Sequence, residues 1–155
     1  MIGNRKRVPI NRKAWVLSEA AAWAPALPGT ETEPGLIIYR FGADLFYANE
    51  NRFVDEVRSL VQRAPTPVSW LIVDAGAITD IDYSAAQSVR DLLHELHRQG
   101  VHMVFARVSS YLRSDMDRHG ITAVIGETRI FGTLHEAIAA VRAGTPKTRE
   151  GQRPL

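Results

Sequence analysis

The stretch from Trp70 to Ala86 constrains the fold of this chain more than any other. Trp70-Leu-Ile-Val73 is a short apolar run rich in β-branched and aromatic residues, read as a buried strand ending at Asp74. Gly76 opens a loop, Asp80 and Asp82 flank Ile81, and Asp82-Tyr83-Ser84-Ala85 enters a helical pattern with Asp82 as the expected N-cap. A strand that feeds a helix through a short loop leaves backbone N–H groups free at a surface, where ligands and partners are read.

The same grammar recurs on both sides. Leu36 to Phe41 reads as a strand, Gly42-Ala43-Asp44 as a turn and Leu45 to Ala48 as a second strand, so an antiparallel hairpin is expected to open the sheet. Asn49 is placed to cap a helix in which Phe53, Val57, Leu60, Val61 and Ala64 recur at helical spacing before Pro65 and Pro67 stop it. The helix after Asp82 buries Ala85, Val89, Leu92, Leu93 and Leu96 and ends at Gly100. Val101 to Ala106 is a further strand, Ser110 to His119 a short helix, and Arg129 to Phe131 a last short strand. Thr133-Leu-His-Glu136 is a capping box that opens a final helix burying Leu134, Ala137, Ile138 and Val141. The expected class is α/β: a mixed sheet, an initial antiparallel pair followed by strand-helix alternation, packed by about four helices.

Charge divides the chain. The formal net charge is +2, but Arg5, Lys6, Arg7, Arg12 and Lys13 all precede the first acid, Glu19. Between residues 35 and 144 there are 11 Arg against 13 Asp and Glu, a net of −2. The folded body is mildly acidic, and the basic arm is either a solvated tail or a contact for an anionic surface. Residues 1–34, with Pro9, Pro25, Pro28, Pro34 and Gly29, read as a leader or linker whose Trp15, Leu17 and Trp23 can dock onto the body. Residues 35–144 are the expected domain, and 145–155 a disordered tail. The chain has no cysteine, which excludes disulfides, thiol nucleophiles and thiolate metal sites. No window approaches the ~18 apolar residues that span a bilayer, and no signal-peptide core follows Arg5-Lys6-Arg7.

No catalytic set assembles from the motifs. The isolated Gly76, Gly126 and Gly132 make neither a P-loop nor a dinucleotide fingerprint. His94 and His97 are spaced for metal ligation on a helix, with Asp91 or Glu95 nearby, but this pattern is ordinary on a solvated helix face. Asp74, Asp80 and Asp82 are the oxygen donors that Mg²⁺ prefers, and are equally ordinary as a strand end and a cap. Ser84 lacks a nucleophile elbow and reads as a first-turn residue. Trp15, Trp23 and Trp70 do not interleave with Arg as single-stranded nucleic acid requires, so nucleic acid is not an expected partner.

Three phrases carry a family resemblance. Residues 34–49, Pro-Gly-Leu-Ile-Ile-Tyr-Arg-Phe-Gly-Ala-Asp-Leu-Phe-Tyr-Ala-Asn, resemble the opening of a STAS domain of the SulP anion-transporter family. Asp74-Ala-Gly-Ala-Ile-Thr-Asp-Ile-Asp82-Tyr-Ser-Ala85 resembles its central signature, and Gln99-Gly-Val-His-Met-Val-Phe-Ala106 its next strand. The resemblance implies a non-enzymatic, cytoplasmic regulatory domain of a sulfate or related anion transporter, lying at the inner face of the membrane and contacting the transmembrane domain. The contact loop and helix start would comprise Asp74, Ala75, Gly76, Thr79, Asp80, Asp82, Tyr83, Ser84 and Ala85. No cofactor is required; guanine nucleotide (GTP or GDP) is a ligand the resemblance raises. The basic arm would be a juxtamembrane linker, since Lys and Arg favour the cytoplasmic side.

The family's other branch, the anti-sigma-factor antagonists, has Asp-Ser-Ser-Gly or Asp-Ser-Thr-Gly at this loop, and the first serine accepts phosphate from a partner kinase. Here that position is Tyr83, Ser84 matches the second hydroxyl, and Ala85 replaces the glycine. Ser84 remains a candidate phosphoacceptor, and a free-standing antagonist bound to an anti-sigma kinase is the alternative function. The Phe-Tyr-Ala-Asn phrase favours the transporter branch.

Overall fold

Two parallel crossovers build the centre of the molecule. The structure is a computed structural model that describes residues 13–151, with side chains to residue 144. Strand β1 (Ala14–Leu17) and strand β2 (Trp23–Pro25) come first, then β3 (Leu36–Phe41), helix α1 (Glu50–Gln62), β4 (Trp70–Asp74), α2 (Tyr83–Arg98) and β5 (His102–Ala106). Helices α3 (Ser110–Arg118), α4 (Ile121–Ile125) and α5 (Leu134–Gly151) follow, with a 3-10 turn at Glu127–Arg129. The sheet order is β2-β1-β3-β4-β5; β3, β4 and β5 run parallel, and β1 is antiparallel to both β2 and β3.

Period-two alternation divides the core. Both crossovers step the same way across the sheet, so a common right hand puts α1 and α2 on one face. There Ile37, Tyr39, Phe41, Leu71, Val73, Met103 and Phe105 pack against Phe53, Val57 and Leu60 of α1 and Ala85, Val89, Leu92 and Leu96 of α2. Leu36, Ile38, Ile72, Val104 and Ala106 point to the other face, covered by Ala137 and Val141 of α5. Coverage on both faces explains why β4 and β5 read as almost unbroken apolar runs. The expected mixed α/β sheet is what forms.

Several local expectations need correction. Leu45 to Ala48 is not a strand: Leu45 makes a single parallel bridge to Ile81. The antiparallel neighbour of β3 is β1, in register Ala14 with Phe41 and Val16 with Tyr39. The turn at Gly42-Ala43-Asp44 carries the chain across the end of the sheet instead of folding it back. Part of the expected leader is therefore sheet, because Ala14, Val16 and Ala26 bury apolar surface that the β3 edge leaves open. Arg129 to Phe131 contributes one bridge, Ile130 to Phe105, and otherwise lies in the 3-10 turn and its exit. Helix α4 adds a fifth helix to the four expected. Helix α5 continues to Gly151 through residues expected in a disordered tail; Gly144 and Pro146 cost helix stability without fixing where a helix ends. The basic residues Arg5 to Arg12 and the last residues, 152–155, lie outside the described part.

Candidate functional site

The C-terminal ends of the parallel strands converge on Asp74, which is wholly buried. The β3–β4 register sets Arg40 directly beside Asp74. The Arg40 Nε and Nη2 donate to Asp74 Oδ2 at 3.1 and 2.9 Å. Arg107 Nη1 donates to the two carboxylate oxygens at 3.3 and 3.2 Å, and the Gly76 N–H donates to Oδ1 at 3.0 Å. The Trp23 ring covers the outer face of the Arg40 guanidinium, 3.9 Å from Cζ, so β2 completes the cluster with a cation-π contact.

Arg107, just after β5, has φ +58°, a left-handed conformation that side chains rarely adopt. That turn lays its guanidinium on Gly76, where a Cβ would stand 2.6 Å from Arg107 Cζ. Gly76 leaves the room this guanidinium occupies, and a side chain at 76 would push that flexible end aside. Asp74 is a structural anchor: two guanidinium groups hold the oxygens a metal ion would use.

Above this anchor, the loop is tied to the segment leading into α1. Leu45 N–H donates to the Asp80 carbonyl at 3.0 Å and Asp82 N–H to the Leu45 carbonyl at 3.1 Å. Asp44 Oδ1 accepts from the Thr79 N–H and hydroxyl at 2.6 and 2.9 Å. Asp82 caps α2 as expected, its Oδ1 accepting from the Ala85 N–H at 2.8 Å, while Oδ2 accepts from the Tyr47 N–H at 3.1 Å. Asn49 occupies the N-cap position of α1 but caps nothing with its side chain; it instead accepts from the Phe46 N–H and donates to the Asp44 carbonyl. Since Asp82 serves two partners, Asp82→Ala should lower stability by about 1–2 kcal/mol. Urea unfolding of the variant checks this, and an unchanged midpoint would remove the cap from the account.

Ser84 is exposed, yet its hydroxyl donates to Glu50 Oε1 at 2.7 Å, and Ser88 donates to Glu50 Oε2 at 2.7 Å. Glu50 sits in the first turn of α1, where the helix dipole favours a carboxylate. A phosphate on Ser84 would face that carboxylate. Ala75 and Ala85 are buried, Ala75 donating to the Ala106 carbonyl at 2.8 Å. What faces outward here is aromatic: Tyr47 is 73% exposed, Tyr83 62%, and Phe46 is also open. The Tyr83 ring lies edge-on to His119, with centroids 6.1 Å apart.

Acidic groups crowd the same end. The neighbouring Asp115 carboxylate holds the Asp80 carboxyl above its ordinary value, first through a shared hydrogen bond and then through burial and like charge. Asp115 accepts from the Ile81 N–H and pairs with Arg118; these bonds and the one from Asp80 outweigh burial and hold it low. A carboxyl whose folded value is raised stabilises below its unfolded value and loses that contribution as pH rises through the folded value. Asp80→Asn keeps a donor toward Asp115 without the charge. Its melting temperature should match the parent in acid and exceed it slightly near neutrality, the gap opening as pH rises past the ordinary carboxylate range. Melts across that range measure it.

Of the residues expected at the site, Thr79, Asp80, Asp82, Tyr83 and Ser84 share one surface, while the buried Asp74, Ala75 and Ala85 support it from beneath and Gly76 is exposed in the loop between. Sequence reasoning missed Arg40, Asp44, Glu50, Ser88, Arg107 and Asp115. Only Ser84 and Ser88, one helical turn apart, had a local signal.

Comparison with known proteins places the chain as a whole. A family profile described as "STAS domain" matches residues 28–137. A probable sulfate transporter of Mycobacterium tuberculosis is 33% identical over 115 residues, covering 74% of this chain and 20% of the relative. The chain thus spans about a fifth of the length of the curated relatives it matches. The crystal structure of a sulfate transporter family protein from Wolinella succinogenes superposes with TM-score 0.63 at 19% identity, covering 70% of this chain and 86% of the other. A putative anti-sigma factor antagonist of Thermotoga maritima does so with TM-score 0.60 at 14% identity, covering 70% and 88%. The two structures establish a shared fold.

Proposed function

The chain belongs to the STAS domain family, and we propose that it is the regulatory, non-enzymatic domain of a sulfate or related anion transporter, held at the cytoplasmic face of the inner membrane. The observation that carries this reading is the 33% identity to a transporter across nearly the whole folded body. Among the described residues no helix is long and apolar enough to cross a membrane, so transport would belong to another part of the protein or assembly. The contact face is the start of α2 with its strut: Tyr83, Thr79 and Asp80 beside Phe46 and Tyr47. Its hydroxyls and carboxylates are largely committed to internal bonds, which leaves exposed aromatic rings as the groups a partner meets. Aromatic side chains supply contact area at low entropic cost and dominate interface energetics.

Sulfate uptake in cells expressing the corresponding full-length transporter gives the test. Tyr83→Ala with Tyr47→Ala should depress uptake at unchanged expression, and Ser84→Ala should not. Equal uptake by the tyrosine variant and the parent would refute the contact face. Guanine nucleotide meets a helix start hemmed by Asp44, Glu50, Asp80 and Asp82, whose charge opposes phosphate. GTP or GDP is therefore expected to leave the amide resonances of residues 75–86 unmoved. The alternative, an antagonist phosphorylated by an anti-sigma kinase, predicts a mass gain of one phosphate on incubation with that kinase, lost in Ser84→Ala.

A further inference from the structure

At the other end of the sheet, the start of the edge strand β5 borders a cavity of about 280 Å³. Leu93, Val101, Met103 and Ile125 form a buried apolar floor. The rim carries His94, His97, His102 and Arg129, and no acidic side chain lines the cavity among the described residues. Arg129 Nη1 lies 3.2 Å from His102 Nδ1. A guanidinium only donates, so His102 accepts at Nδ1 and carries its proton on Nε2. Arg129 Cζ also lies 5.3 Å from the centre of the Trp70 ring, and Trp70 and His97 both approach the His102 ring, with centroids 4.9 and 5.6 Å away.

Arg129 forms no carboxylate ion pair among the described residues, and the acids of the flanking elements are engaged elsewhere or lie outside the cavity lining. Glu95 of α2 is held by Arg58, with both carboxylate oxygens at 2.8 Å, and Glu127 lies 3.9 Å from Arg113. Asp91 is exposed on α2 and does not line the cavity. Burial first, then the charges of Arg129 and His97, hold the His102 imidazole below its ordinary value. Cationic and protonatable groups gathered without a counterion repel one another, and the apolar atoms that line the cavity lack contacts that a ligand would supply. One class of ligand relieves both: an anionic head on a short apolar body.

We propose that this cavity is a binding site for a small carboxylate carrying a short hydrocarbon chain, with Arg129 gripping the head, His97 and His102 beside it, and the chain lying on Leu93, Met103 and Ile125. A guanidinium matches a carboxylate with two parallel hydrogen bonds, and small sites combine an apolar lining with a few placed polar groups. The site is remote from the start of α2 and does not depend on the transporter reading.

Hexanoate titrated into the full chain, followed by amide resonances, tests it. Saturable shifts confined to residues 93–103 and 124–129 are expected. Hexanamide, of the same shape without charge, and inorganic sulfate, charged without the body, should each bind at least about tenfold more weakly. Arg129→Gln should weaken hexanoate about tenfold. His97→Gln, at an exposed position, should retain the fold and weaken binding about threefold, which keeps the test decisive if the arginine variant fails to fold. No saturable shift, equal binding of hexanamide or of sulfate, undiminished binding by His97→Gln, or shifts centred on residues 75–86 would each overturn the proposal.

Discussion

A chain lacking residues 1–34 is expected to lose cooperative unfolding. The truncation removes β1 and β2 and strips β3 of its antiparallel partner. Ala14, Val16 and Ala26 leave the core, opening the surface around Tyr39 and Phe41. The Ile38 N–H loses its acceptor, the Thr32 hydroxyl, at a buried position, and Arg40 loses the Trp23 ring. Burial and pairing together amount to about 5 kcal/mol or more, against a typical domain stability of about 5–15 kcal/mol. A bare β3 edge is also a template for aggregation. Circular dichroism melts and size-exclusion chromatography of the truncated and full chains measure the effect. A truncated chain that stays monomeric and melts like the parent would restore residues 1–34 to the role of linker.

Asp74→Ala carries the second large effect, a loss of about 3 kcal/mol. Asp74 is the shared counterion of Arg40 and Arg107, and removing it leaves the Arg40 guanidinium, mostly withdrawn from solvent, without a partner. The Gly76 N–H also loses its acceptor. Arg40→Ala should cost less, because Arg107 still compensates the buried carboxylate. Replacing Asp74 and Arg40 together by Leu should recover part of the loss, since a buried pair exchanged for apolar side chains is often neutral. Urea denaturation of the three variants gives the ordering; a loss for Asp74→Ala no larger than for Arg40→Ala would show that Asp74 is not the hub.

Elements with strong local period were legible in the sequence. The stripes of α1 and α2, the double-sided burial of β4 and β5, the Asp82 cap and the Thr133 cap, whose hydroxyl accepts from the Glu136 N–H, follow from spacing and capping chemistry alone. The expected hairpin failed because Leu45 to Ala48 has the composition of a strand while the β3 edge is filled by a segment far earlier in the chain. Local pattern carries no information about which of two candidates wins that edge. The site was half legible for a related reason. Its signature loop is continuous, but Arg40, Asp44, Glu50, Arg107 and Asp115 reach it from other strands and helices. The Arg40–Asp74 pair follows from the sequence only after β3 and β4 are aligned in parallel, and Arg107 only once Gly76 is seen to leave room for its guanidinium.

The contact face at the start of α2 is tested most directly by photo-crosslinking in cells. A benzophenone amino acid at position 83 should form a crosslink whose peptide maps to the membrane-spanning part of an anion transporter, while the same probe at Glu136, exposed on α5 over the opposite sheet face, should not. A position-83 crosslink to an anti-sigma kinase, or equal crosslinking from both positions, would contradict the account.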